Sequence, residues 1–246
     1  MPLILPNAWD VASAVAVERA GASAIATTSS GVAASLGYPD GEAIPVADML
    51  AAIARIARAV NLPVTADMEA GYGLDAPDLV AGLLAAGAVG MNLEDTNRTD
   101  DPPGLVAADV QAGWLAAIRG AATTAGVPVV INARIDVFLR GSGSPGERLD
   151  EAIRRAHAYV TAGADCVFPI WLVDADAIGR IVREVEAPVN VLLRPDPPSI
   201  TRLAELGVRR ISVGGSLLRH AMDDAEAVAR RLFAGDGSAL AKAGED

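Results

Sequence analysis

Short apolar runs alternate with longer amphipathic stretches along this chain, and the alternation is regular. Runs with the two-sided apolar character of buried parallel strands begin near Leu3 (LIL), Ser23 (SAIATT), Pro63 (PVTAD), Val89 (VGMNLE), Pro128 (PVVINA), Asp165 (DCVFP), Pro188 (PVNVLL) and Arg210 (RISVG). Between them lie stretches such as DMLAAIARIARAV, APDLVAGLLAAG and RLDEAIRRAHAYVTAG, with apolar residues at helical spacing. Helix ends carry an Ala-Gly-Ala signature at residues 20–22, 86–88 and 162–164, where glycine supplies a left-handed cap at little steric cost. Prolines 63, 128 and 188 stop the preceding helix and suit the first position of a strand.

Eight strands and about eight helices in strict alternation predict an α/β chain folded as a (β/α)8 TIM barrel. A doubly wound open sheet is the architectural alternative, because alternation alone does not show closure. No linker interrupts the pattern. Residues 1–234 therefore read as a single barrel domain, followed by a small polar tail over 235–246.

Composition narrows the chemistry. The chain has 246 residues and a net charge of −11, which argues against nucleic acid, since phosphate binding needs clustered Lys and Arg. No apolar run is long enough to span a membrane and no targeting segment is evident, so the chain reads as cytoplasmic. One cysteine and two histidines exclude an internal disulfide framework and make a Cys- or His-rich metal cluster unexpected. Cys166 falls inside a strand and reads as a small hydrophobe. His157 and His220 fall on helices, where they are expected to face outward or to pack against neighbours.

A barrel carries its active site at the C-terminal ends of its strands. Those ends hold Thr28-Ser29-Ser30-Gly31, Asp67-Met68-Glu69, Asn92-Leu93-Glu94-Asp95, Asn132-Ala133-Arg134-Ile135-Asp136, Asn190 and Gly214-Gly215-Ser216. Asp67 and Glu69 are two apart on a strand and share a face, and Glu94 on the next strand reaches the same region. Like charges at close range call for a cation, and a hard ion such as Mg2+ takes oxygen ligands. The alternative is that these acids cap helices or pair with basic side chains. Arg134 suits a carboxylate or phosphoryl oxygen, and equally a structural pair with Asp136 or Glu94. The hydroxyl-rich turn at 28–31 suits an oxyanion or is an ordinary turn. Gly214-Gly215 lies where many barrels bind phosphate or is a tight strand-to-helix turn.

The stretches Asn7-Ala-Trp-Asp10, Thr28-Ser-Ser-Gly31, Leu36-Gly-Tyr-Pro-Asp-Gly41, Asp67-Met-Glu-Ala-Gly-Tyr-Gly73, Asn92-Leu-Glu-Asp95, Asn132-Ala-Arg-Ile-Asp136 and Pro188-Val-Asn190 together resemble the isocitrate lyase/phosphoenolpyruvate mutase superfamily. The resemblance implies a barrel assembled as a homo-oligomer, usually a tetramer with the last helix swapped between neighbours. It implies a Mg2+ cofactor and a small 2-oxo acid substrate. By motif match, Asp67 would bind the metal directly, and Glu69, Glu94 and Asp40 would hold its water shell. Ser29, Ser30 and Gly31 would bind the substrate carboxylate, with Arg134 and Asn190 orienting the substrate and Tyr72 a candidate proton donor.

One departure matters. The Cys-containing loop motif of isocitrate and methylisocitrate lyases is missing: residues 95–104 read DTNRTDDPPG, with no Cys, Lys or His. The loop also lacks the lysine of the phosphonate enzymes, and Asn97 and Arg98 are its only candidate substitutes. The expectation is a Mg2+-dependent carbon–carbon lyase of 2-oxo acids, distinct from a standard isocitrate or methylisocitrate lyase. A phosphonopyruvate hydrolase-like or carboxyphosphonoenolpyruvate mutase-like enzyme, and a 2-oxo acid binding protein with little catalysis, stand as alternatives. A Schiff-base aldolase is disfavoured, because the single lysine, Lys242, lies in the tail.

Overall fold

The computed structural model describes residues 1–241, and each of the eight apolar runs contains a strand. The first run is split at Pro6 into β1 (Leu3–Leu5) and β2 (Asn7–Ala8). There follow α1 (Val11–Arg19), β3 (Ile25–Thr27), α2 (Ser29–Leu36), α3 (Val46–Ala59), β4 (Val64–Asp67), α4 (Ala76–Ala85) and β5 (Gly90–Glu94). A small antiparallel hairpin comes next, β6 (Thr96–Asn97) with β7 (Gly104–Leu105), then α5 (Ala108–Thr124). The second half runs β8 (Val130–Ile135), α6 (Val137–Arg140), α7 (Pro145–Thr161), β9 (Cys166–Pro169), α8 (Ala175–Glu184), β10 (Asn190–Leu192), α9 (Ile200–Glu205), β11 (Arg210–Ser212) and α10 (Ser216–Phe233). A 3-10 turn, Gly237–Leu240, ends the described chain. Lys242 lies outside the described residues.

The strands close into a ring, which settles the architecture in favour of the barrel. Parallel pairing runs β2-β3-β4-β5-β8-β9 and β1-β11-β10. The two arcs meet at the split first strand, where β1 pairs with β11 and β2 with β3. They meet again at a parallel bridge between Val167 and Val189. Asn7 reinforces the first junction from inside. Its Nδ2 donates to the Thr27 carbonyl, and its Oδ1 accepts from the backbone N–H of both Val213 and Gly214, each contact at 2.8 Å. One side chain thus ties the ends of three strands together at the mouth.

Packing follows composition. The core is Ala, Val, Leu, Ile and Met, and Tyr159 is its largest fully buried side chain. The Ala-Gly-Ala signature behaves as its chemistry requires. Gly21, Gly87 and Gly163 sit at φ of 95°, 83° and 103°, and the alanine after each donates back to Val17, Leu83 or Tyr159. That paired-turn cap satisfies carbonyls the helix would otherwise leave free.

The structure adds two short helices, α2 and α6, and the β6–β7 hairpin to the strict alternation. The hydroxyl turn at 28–31 is not a free turn: Ser29 to Gly31 form the first turn of α2. The last helix also stands apart. Among its described residues none is buried, and Met222 and Phe233 are 53% and 91% exposed. No helix among the described residues is long and apolar enough to cross a membrane.

The Asn7 tie is testable. In Asn7→Ala the part-buried N–H groups of Val213 and Gly214 and the Thr27 carbonyl lose their partner, at roughly 1–3 kcal/mol for each group left unsatisfied and less where cavity water reaches it. Urea unfolding should show a loss of about 3 kcal/mol.

Candidate active site

The C-terminal ends of the strands surround a cavity of about 740 Å3. Asn7, Ser29, Ser30, Asp40, Asp67, Asn92 and Arg134 line its floor and one side. Asp67, the last residue of β4, is held from the start of α2 and from the neighbouring strand β5. Its Oδ2 accepts from the backbone N–H of Ser29 at 3.0 Å, and its Oδ1 faces Asn92 Nδ2 at 3.5 Å. The Asn92 amide is turned that way because its Oδ1 accepts from Asn132 Nδ2 and from Arg210 Nη2. The Arg210 contact joins β11 to β5 across the barrel interior. Asp40, on the α2–α3 connection, accepts from Ser29 Oγ at 3.2 Å.

Glu69 and Glu94 do not reach the cavity as freely. Both are buried, and Arg98 of the β6–β7 hairpin lies against them, 3.4 Å from Glu69 and in closer contact with Glu94. Burial pushes the Glu69 carboxyl up to about 7, although the Tyr72 hydroxyl that donates to it at 2.7 Å opposes the shift. Burial pushes Glu94 up to about 8, opposed first by Arg134. Two guanidiniums therefore leave this pocket of acids short of positive charge. Among the described residues no three His, Cys, Asp or Glu side chains converge on one ion position. Asp67 and Asp40 open to the cavity, and the two glutamates close beneath Arg98.

Arg134, near the end of β8, realises both pairings its sequence position suggested. Its Nη1 lies 2.6 Å from Glu94 Oε2, and its Nε and Nη2 grip Asp136 at 2.7 and 2.9 Å. Burial works against its charge, yet Glu94 and Asp136 outweigh burial and hold the guanidinium firmly protonated. Asp136 is fixed in turn. Its backbone N–H donates to Asp95, which is fully buried and bound by Arg155 and Tyr159 from α7 at 2.8 and 2.7 Å. Asp95 is thus a strut beneath the site.

The other expected site residues divide. Ser29 and Ser30 line the cavity, while Gly31 is buried: a Cβ there would come within 2.8 Å of Trp9 and Thr28. Its glycine is explained by packing. Asn190 is fully buried, donates to Ser212 Oγ at 3.3 Å and does not line the cavity. Tyr72 also lies off the cavity with its hydroxyl on Glu69, and burial together with that carboxylate pushes its pKa well up. Cys166 is buried and held as a thiol, pushed up to about 12 by burial. Of the histidines, His157 is exposed as expected. His220 also faces outward as expected, and it is in addition one of the residues that line the cavity, with Gly214, Gly215 and Ser216.

Sequence reading missed Glu42. Its Oε1 accepts from the backbone N–H of Ala70 and Tyr72, and its own N–H donates to Glu69 at 2.9 Å. Glu42, Glu69 and Tyr72 all have left-handed backbones, at φ 62°, 48° and 57°. Such strain collects where surrounding bonds over-determine a functional loop. Its one sequence signal was position, directly after the quoted Leu36–Gly41 stretch.

The family profile of phosphoenolpyruvate phosphomutase matches residues 1–233. The chain belongs to the phosphoenolpyruvate mutase/isocitrate lyase superfamily. Within the superfamily it is 37% identical over 216 residues to an uncharacterised protein of Mycobacterium tuberculosis H37Rv, covering 87% of this chain and 78% of that one. It is 32% identical to the 2-methylisocitrate lyase of Escherichia coli K12, across 76% of this chain and 64% of that protein. A crystal structure from Burkholderia cenocepacia J2315, provisionally assigned as a phosphonomutase, superposes with a TM-score of 0.87 at 41% identity, covering 93% and 94% of the two chains.

The buried acids have a consequence for stability. A carboxyl whose folded pKa is raised stabilises the fold fully below its unfolded value near 4.5, and that contribution is lost as pH rises through about 7 for Glu69 and about 8 for Glu94. Metal-free protein should therefore lose stability between pH 5 and pH 8. Glu69→Gln should flatten that slope in thermal melts taken across the range. A wild-type melting temperature that climbs steadily over the same interval would contradict the assignment.

Proposed function

We propose that this chain is a Mg2+-dependent lyase that cleaves or forms a carbon–carbon bond in a small 2-oxo acid. The observation that carries the reading is the cavity at the barrel mouth, where Asp67 and Asp40 face Arg134 across one wall. The names of relatives support it: besides the 2-methylisocitrate lyase, a Bradyrhizobium protein 31% identical over 73% of this chain is an oxaloacetate decarboxylase.

The donor set fits Mg2+. All candidate donors are carboxylate oxygens, and the two buried glutamates are held well above the usual carboxylate range. Asp67 would hold the ion, with Asp40, Glu69 and Glu94 on its water shell. A magnesium ion keeps several waters and needs few protein ligands, so one open aspartate with acids set back from it is a suitable arrangement. When bound, the ion supplies Lewis-acid stabilisation to the oxygens of a 2-oxo acid.

The chain's own residues do the rest. Ser29 and Ser30, at the start of α2, present hydroxyls and helix-terminal N–H groups to a substrate carboxylate. Ser29 commits its own N–H to Asp67, so Ser30 carries more of that task. Arg134 is clamped on two carboxylates and cannot swing away. It presents a fixed positive charge to the negative charge that develops on an enolate oxygen, with no reorganisation during the reaction. Arg98 closes the hairpin over Glu69 and Glu94 in place of the Cys-containing loop. The uncovered α10 supports a homo-oligomer in which a second copy covers that helix, and the absence of a spanning helix among the described residues is in keeping with a cytoplasmic enzyme.

Asp67→Ala should lower Mg2+-dependent turnover of a 2-oxo acid panel by at least about 100-fold, the scale seen when a positioned electrostatic group is removed. Full turnover in this variant or in excess EDTA would end the proposal. Mg2+ should also raise the wild-type melting temperature more at pH 8.5 than at pH 6, because the ion favours the deprotonated glutamates. Phosphorus release from phosphonopyruvate, without cleavage of carbon acids, would move the assignment to P–C chemistry.

A further inference from the structure

The cavity runs well past the carboxylate end. Its 740 Å3 is far more than a three-carbon acid fills. Its lining also includes Phe168 of β9 with Ile170 and Trp171 just after that strand, and Leu192, the last residue of β10, with Leu193 and Arg194 after it. Trp171 is the unusual member. Its φ is 66°, a left-handed backbone that costs a bulky residue on the order of 1–3 kcal/mol and persists where surroundings impose it. The result is an indole 42% exposed at the cavity, with the Arg194 guanidinium carbon 4.5 Å above its ring.

Arg194 differs from the arginines at the other end. Arg98 and Arg134 are each committed to two carboxylates. Arg194 pairs with no carboxylate among the described residues. Stacking covers one face of the guanidinium and restrains its plane. Its N–H fork lies at the plane's edge and suits two oxygens of one oxyanion. The same cavity is also lined by the apolar Leu139, Phe168 and Leu192, side chains that suit the carbon part of a ligand.

We propose that Arg194, stacked on Trp171, is a second anion-recognition point and the residue that engages the far oxyanion group, carboxylate or phosphonate, of a two-ended 2-oxo acid. This rests on the reading of the Asp67–Arg134 end as the 2-oxo acid end. A site built to hydrogen-bond a group rejects analogues that lack it more strongly than an apolar pocket rejects a missing methylene.

The test uses the full chain with Mg2+ and follows quenching of tryptophan fluorescence by stopped flow, before turnover. Oxalate and pyruvate are the one-ended probes; oxaloacetate and phosphonopyruvate are the two-ended ones. Both or one of the two-ended acids should bind at least tenfold more tightly than pyruvate, and whichever gains more identifies the distal group. Arg194→Met, melting as wild type, should erase that gain while leaving oxalate and pyruvate within about twofold. Arg194→Lys, which keeps the charge without the fork, should restore only part of it. If the second acid group adds nothing, or Arg194→Met weakens oxalate as much as oxaloacetate, the second point is overturned and the metal-end reading stands. If the two-ended acids depend on Arg194 but no probe responds to Asp67→Ala, the second point stands and the metal-end reading falls. Failure of all four probes to bind overturns both.

Discussion

The buried Glu94 carboxylate is the contact around which the mouth of this barrel is arranged. It lies at the end of β5, in the middle of the longer strand arc. Arg134 reaches it from the adjacent strand and Arg98 from the hairpin above. A carboxylate taken out of water is costly unless cations and hydrogen bonds replace its hydration. Here two groups with other tasks supply part of the replacement, and burial still pushes the Glu94 carboxyl up to about 8. Arg134 forms part of the cavity wall, and Arg98 fixes where the hairpin rests. The orientation of Arg134 in the cavity wall and the resting place of the hairpin are therefore coupled through one side chain.

Rigidity below the site makes that coupling useful. Arg134 holds its orientation only because Asp136 holds it, and Asp136 is held through Asp95 by Arg155 and Tyr159 of α7. The chain of contacts runs from an outer helix to the cavity without a free rotor. Preorganised charge of this kind does not reorient when a reaction develops charge of the opposite sign. The cost is backbone strain, concentrated at Glu42, Glu69 and Tyr72, where three side-chain to backbone bonds pin the loop after β4.

Much of this was legible in the sequence, and the division is physical. All eight barrel strands were visible because a buried parallel strand is a local signal, apolar on both faces and bounded by Gly or Pro. Asp67, Glu69, Glu94 and Arg134 were visible because barrel topology turns strand ends into neighbours. Glu42, Asn7 and Arg194 were not. Asn7 acts on residues some two hundred positions away, at Val213 and Gly214. Glu42 binds backbone groups, which leave no mark on residue type. Arg194 matters through a contact with Trp171 across two different loops. Asn190 shows the reverse: it was expected at the C-terminal end of its strand, but it is the first residue of β10 and is fully buried below the mouth. The period of a strand tells which residues share a face and leaves open how far up the barrel each one stands.

Net charge and local charge also separate in this molecule. The chain carries 31 acids against 20 bases, and a net field of that sign repels an anionic substrate at long range. At the cavity the balance differs, because field within a low-dielectric cleft depends on the nearest groups. Arg134, Arg194 and Arg219 line it together with Asp40, Asp67 and Asp223, a nearly balanced set in a chain that is acidic as a whole. The acids on the near side, Asp40 and Asp67, favour a cation there and disfavour a bare anion. On the proposed function, an anionic ligand would be drawn in by the arginines and accepted beside Asp40 and Asp67 together with a divalent ion. On that proposal the acidity of the chain as a whole would serve selectivity: an anion without the groups to engage both the ion and the arginines would meet repulsion with nothing to offset it.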